Sequence, residues 1–278
     1  MPWYLRLPLL VASLYGFAVL AIYFLQDRMM FFPRTYSERA LSGFEPFHYE
    51  AVGGEHTAAL VGNLEKPSRV WIVFGGNGSL ALNFLDLAHR VVERDPTGCV
   101  LLVDYPGYGN NPGRPGRASI QKATDALWET LPSTLGLSPP ELTSRTSVLG
   151  HSLGAAVGME FAAKWEISSV IAISPFTSMQ EMANRQVSRA LAIGLKHRWD
   201  NRAALDRIVG LEGAFVHIYH GERDRLIPAS MGRDLRDRHP LNVGYFPIPN
   251  AGHNDAIDQI LPQLVDRMGG AHRAESPR

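Results

Sequence analysis

The sequence has a single cysteine, Cys99, among its 278 residues. That excludes an internal disulfide and a thiolate metal site, and within the apolar run CVLLV the residue reads as a small buried hydrophobe. Net charge is lacking too: 27 basic residues balance 27 acidic ones, so nothing draws the chain to nucleic acid or an acidic polymer, and nucleic acid is not an expected partner. Lysine is confined to Lys66, Lys122, Lys164 and Lys196. With arginine carrying nearly all the positive charge, the composition points to GC-rich coding and a bacterial source. What is abundant is apolar: 45% of residues are hydrophobic against 19% charged, the balance of a globular chain. No internal repeat and no second globular domain is visible.

Charge is absent altogether from LPLLVASLYGFAVLAIYFLQ, the twenty residues between Arg6 and Asp27. A helix of that length rises about 30 Å, the thickness of a bilayer's hydrocarbon core. Trp3, Tyr4, Tyr23, Phe31 and Phe32 fall where interfacial aromatic belts belong. A cleavable signal peptide would have an apolar region of about 7 to 15 residues and a small-residue cleavage site; this run is longer and has no clean site. Residues 1–30 are therefore expected to be an uncleaved single-pass anchor in a bacterial inner membrane. Arg6 and the amino terminus on one side, and Arg28, Arg34 and Arg39 on the other, leave open which side the rest of the chain occupies.

Beyond the anchor, short β-like runs alternate with helix-length amphipathic segments from FHYEAV to a last helix over Asp255 to Met268. This is a βαβ rhythm, and continuous runs such as VWIVF and CVLLV imply strands buried on both faces. One domain is expected over 31–270, followed by a polar tail at 271–278. The polar stretch 178–208 reads either as a short cap or as an ordinary pair of surface helices.

Gly150, Ser152 and Gly154 form a G-x-S-x-G pattern between the predicted strand TSVLG and a predicted helix, the context of a nucleophile elbow. The backbone N–H of Leu153, at the helix start, then points where an oxyanion would form. Serine needs a base, and in a fold of this kind an acid and then a histidine follow, each on a loop after a strand. The loop GERDRLIP offers Asp224, with Glu222 as fallback; PNAGHND offers His253. For the second oxyanion donor, the glycine-rich FGGNGS offers Gly76 first and Asn77 second. Asp104, just after CVLLV and before a Pro-Gly turn, fits a loop-ordering role better than a catalytic one.

Taken in order, GHSLGAAV, HGERDRLIP and AGHND resemble the α/β-hydrolase superfamily over about residues 45–268. DYPGYG, ISPFTSM and an apolar anchor followed by QDRMMFFP are similar to the membrane-anchored serine hydrolases that include depalmitoylase-type acyl-protein thioesterases. The resemblance implies an α/β fold, a mostly parallel central sheet with helices on both faces, preceded by a transmembrane helix. It puts Ser152, Asp224 and His253 at triad positions and Gly76 and Leu153 at oxyanion positions. One departure is visible: Phe74-Gly75-Gly76 stands where the branch has His-Gly-Asn, which alters the hydrogen bonding of that loop. The implied activity is cleavage of an acyl ester or thioester through an acyl-enzyme, on a hydrophobic small molecule or acylated protein, with no metal and no organic cofactor. A peptidase or carbon–carbon hydrolase stays open, because these share the machinery. A non-catalytic scaffold also stays open, though Ser, Asp and His intact and in order weigh against it.

Overall fold

The computed structural model describes residues 3–37, 42–187 and 189–270, with side chains from Arg6 onward. The side chains of Trp3 and Tyr4, together with Arg39 and the expected tail at 271–278, lie outside the described residues. The strands are β1 (Glu45–Ala51), β2 (Gly54–Gly62), β3 (Val70–Phe74), β4 (Cys99–Val103), β5 (Thr146–His151), β6 (Ser169–Ile173), β7 (Phe215–Gly221) and β8 (Val243–Ile248). They form one sheet in the order β1-β2-β4-β3-β5-β6-β7-β8. Only β1 with β2 and β2 with β4 run antiparallel; the remaining pairings are parallel.

The helices are α1 (Trp3–Met30), α2 (Leu85–Arg94), α3 (Arg117–Leu135), α4 (Pro139–Arg145), α5 (Leu153–Lys164), α6 (Met179–Gln186), α7 (Asn201–Ile208), α8 (Ala229–Arg238), α9 (Ala256–Gln259) and α10 (Leu261–Gly269). All five residues of β3 are buried. Val70, Ile72 and Phe74 join the core under α3, α5, α7 and α8, while Trp71 and Val73 join the one that holds Leu87 and Val91 of α2 and Leu264 and Met268 of α10. Alternate side chains of a central strand thus feed two cores, which is why no polar residue interrupts it.

Several details depart from the sequence expectations. The last helix breaks into α9 and α10 at Pro262, which has no N–H to donate and whose ring crowds the preceding turn. α4 has no counterpart among the expected elements, although Ser138 and Glu141 form a capping box with Pro139 at the first helical position. The stretch 178–208 becomes α6, a 3₁₀ turn at Leu191–Gly194, and α7; it leaves and rejoins the domain at a bridge between Ser178 and Asp200. Phe31 does not belong to an interfacial belt. It is buried in the core, edge-on to His197 and Trp199.

α1 is long and apolar enough to cross a membrane, and none of its most apolar window is buried inside the protein. Leu10, Leu14, Phe17, Leu20 and Phe24 are all exposed. A core helix would have covered them.

Candidate active site

Ser152 stands between β5 and α5 with φ 57° and ψ −119°, a conformation that strains a residue carrying a Cβ. The crossing is very close. A Cβ on Gly150 would lie 2.2 Å from Gly154 O, and one on Gly154 would lie 2.0 Å from Phe74 O. The two glycines are therefore packing requirements of the turn. Ser152 N–H donates to Ile173 O at 2.9 Å, pinning the elbow to the end of β6.

His253 Nε2 lies 2.8 Å from Ser152 Oγ, and His253 Nδ1 lies 2.7 Å from Asp224 Oδ2. The three residues come from the carboxyl ends of β5, β7 and β8, the edge where open α/β sheets bind ligands. Asp224 Oδ1 accepts the N–H groups of Leu226 at 2.9 Å and Ile227 at 2.8 Å. Burial opposes ionisation of this carboxyl, but the imidazoles of His220 and His253 and the Ile227 N–H outweigh it and hold it below the ordinary carboxylate range. Glu222 is exposed and takes no part. Its N–H donates to Ile248 O, as that of Arg223 does to Ala251 O; these bonds zip the loop after β7 to the loop after β8 and so bring Asp224 to His253.

Of two neighbouring histidines, the sequence marks His151 only as the filler of the elbow's variable slot and does not single out His220. His220 is fully buried behind Asp224, its Nε2 3.6 Å from Oδ2 and donating to Ile227 O at 2.9 Å. A histidine closing an apolar strand four residues before the acid was the available signal. His151, in the variable slot of the elbow, donates from Nε2 to His253 O at 3.1 Å. Burial, with repulsion from His253, pushes its imidazole down to about 4, so it is neutral at pH 7.

Leu153 opens α5, so its N–H has no partner within the helix, and Ser152 supplies no side-chain cap. Gly76 approaches from the loop after β3: a Cβ there would lie 3.5 Å from Ser152 Cβ. Asn77 is tied elsewhere. Its Nδ2 donates to Met30 O at 2.9 Å, and its carbonyl accepts Phe32 N–H at 2.9 Å and Tyr108 O–H at 2.5 Å. Asp104 orders loops, accepting Ala81 N–H at 2.8 Å and Tyr36 O–H at 2.5 Å; burial raises its carboxyl to about 6.

A hydroxyl, an imidazole and an ionised carboxylate in one hydrogen-bonded line are the set that nucleophilic acyl transfer requires. A family model described as the alpha/beta hydrolase family matches residues 67–217, more than half of the chain. The chain belongs to the alpha/beta hydrolase family. Among its relatives, alpha/beta hydrolase domain-containing protein 17C of Xenopus laevis is 25% identical over 239 residues, which cover 84% of this chain and 71% of the relative. Protein 17B of Xenopus tropicalis is 26% identical over 239 residues, covering 84% and 76%. Among solved structures, an esterase of Pyrococcus furiosus aligns with a TM-score of 0.64 at 16% identity over 86% of this chain and 96% of that one. That last likeness speaks for the fold.

Proposed function

We propose that this alpha/beta hydrolase is a membrane-anchored serine hydrolase that cleaves acyl esters or thioesters through an acyl-enzyme. The observation that carries it is the unbroken line from Ser152 Oγ through both His253 nitrogens to Asp224 Oδ2 on a strained elbow. His253 Nε2 takes the Ser152 proton as Oγ attacks the acyl carbonyl, and Asp224 stabilises the imidazolium. The N–H groups of Gly76 and Leu153 stabilise the oxyanion. His253 then hands its proton to the leaving alcohol or thiol, and a water molecule, deprotonated by the same nitrogen, releases the acid. In this assignment residues 1–30 anchor the catalytic domain at 31–270 to a bacterial inner membrane through the uncovered helix α1. Lipids and acylated proteins are then within reach, as the resemblance to depalmitoylase-type enzymes implies.

The test is labelling of the detergent-extracted protein by a fluorophosphonate probe. Wild type is expected to label and Ser152→Ala to remain folded and unlabelled; p-nitrophenyl esters of increasing length then size the acyl pocket. Equal labelling of the two proteins, or a folded wild type that neither labels nor hydrolyses any ester, refutes the proposal.

A further inference from the structure

The second half of α1 lies against the domain. Tyr15 O–H donates to Ala190 O at 2.7 Å, and a Cβ on Gly194 would come 3.0 Å from Val19 O. Gln26, only 3% exposed, donates to Gly194 O at 3.0 Å and accepts Lys196 N–H at 2.8 Å. Asp27 pairs with Lys196 Nζ at 2.7 Å and His197 Nε2 at 2.5 Å. All these partners sit between 190 and 197, on the excursion that joins β6 to α7. From Tyr15 to Asp27 the contact runs about 18 Å along the helix, and most of it falls inside the uncharged stretch. Whatever depth that stretch takes in a bilayer, the adjoining domain segment shares.

The segment suits such a place. ALAIGL, residues 190–195, carries no charge and no polar side chain. Ile193 is 65% exposed. Its irregular backbone draws hydrogen bonds from within the protein: Tyr15 serves Ala190 O, Leu195 N–H serves Ala192 O, Gln26 serves Gly194 O, and Arg198 folds back onto Ile193 O at 3.0 Å and Leu195 O at 2.8 Å. Non-helical backbone is tolerated at membrane depth only where protein groups satisfy it in this way. Lys196 after the segment, paired with Asp27 where the uncharged stretch ends, is a cation that suits the phosphate layer.

We propose that residues 190–195 are a second membrane-inserting element, entering the acyl-chain layer beside α1 so that the domain sits partly immersed. This rests on α1 being the membrane anchor, as assigned under Proposed function. Asn77 is tied to the end of α1 through Met30 O. That tie brings the loop holding Gly76 to the bilayer surface, so that an acyl group reaches Ser152 from lipid rather than from water.

The test uses the full chain in phosphatidylcholine–phosphatidylglycerol vesicles. Cys99, the native thiol, is buried and pushed up to about 12, so a maleimide fluorophore reports a single introduced site. The variants are Ile193→Cys, Phe17→Cys on α1 and Leu241→Cys on the domain, all at exposed positions where labels leave the core intact. With the proposal correct, lipids bearing a nitroxide on the acyl chain quench the labels at 193 and 17, while aqueous iodide quenches only the label at 241. Lipid quenching at 17 with iodide quenching at 193 overturns the insertion and leaves the anchor standing. Iodide quenching at both sites overturns both. A label at 193 reached by neither quencher is covered by protein, a second copy included, and also overturns the insertion.

Discussion

Replacing Asp224 by Asn separates the charge of this residue from its shape. Oδ1 accepts two backbone N–H groups, from Leu226 and Ile227, while Oδ2 faces His253 Nδ1. An asparagine must keep its one carbonyl oxygen on the two amides, because turning it away would orphan both at a cost of about 1 to 3 kcal/mol each. Its NH₂ then points at Nδ1 and donates. His253 is driven into the tautomer protonated on Nε2, which donates to Ser152 Oγ and has no lone pair with which to take the proton. The imidazolium also loses its counter-charge. A change of this kind at a triad acid lowers kcat about 10⁴-fold, equivalent to about 5 kcal/mol of transition-state stabilisation. Thermal unfolding should shift less than in Asp224→Ala, since the amides stay paired and what is lost is the pairing of the carboxylate with the two imidazoles. Asp224→Ala, by contrast, should lose both activity and stability. Ester hydrolysis with burst-phase analysis reads the first effect and scanning fluorimetry the second. If Asp224→Asn kept more than about a tenth of wild-type kcat, or if Glu222→Gln fell as far, the assignment of Asp224 as the orienting acid would be refuted.

Gly154→Ala should cost about 3 kcal/mol or prevent folding, because the new methyl meets Phe74 O and Gly75 O, backbone atoms with no way to yield; thermal melts at the wild-type midpoint would contradict that packing. His151 should make stability depend on pH. Its folded value of about 4 lies below the ordinary 6.5, so the unfolded chain binds the extra proton between the two. Its contribution is present above about pH 6.5 and is lost as pH falls toward 4, by about 3 kcal/mol in all. His151→Gln should flatten that part of the stability curve, and a variant with the wild-type slope from pH 7.5 to 4 would sink the assignment.

The residues that meet at the candidate site are more legible in the sequence than the junctions. Ser152 and His253 could be placed because the elbow and the order of partners are written in local spacing, and Asp224 because it lies just ahead of the turn that restarts the chain as α8. The buried runs VWIVF and CVLLV announced central strands because both faces need apolar residues. The sequence does not give the contacts of His220 and His151, because these form across the sheet edge with no fixed spacing to His253. Phe31 departs from its expected interfacial place for a related reason. From the sequence it is one more aromatic after an apolar helix; only the return of His197 and Trp199 on a distant segment makes it a core residue.

The same nonlocal packing decides whether anchor and domain are separable parts joined at residue 30. Gln26 is the residue that answers this. It lies at the end of the uncharged stretch, yet its amide serves Gly194 O and Lys196 N–H. Gln26→Leu removes both bonds at nearly constant volume and makes α1 more apolar, so membrane retention should be undiminished. If α1 is a tether only, nothing else changes. If it is a wall of the domain, the freed segment opens, with a loss of about 1 to 3 kcal/mol for each of the two backbone groups left unpaired. Trypsin should then cut more readily at Arg189, Lys196 and Arg198 while the rest of the domain resists. Asn77, held by Met30 O and Phe32 N–H, would loosen with the helix end, and ester hydrolysis should fall through kcat because the loop carrying Gly76 moves. Wild-type proteolysis and wild-type kcat in Gln26→Leu would show that the helix carries the enzyme without shaping it.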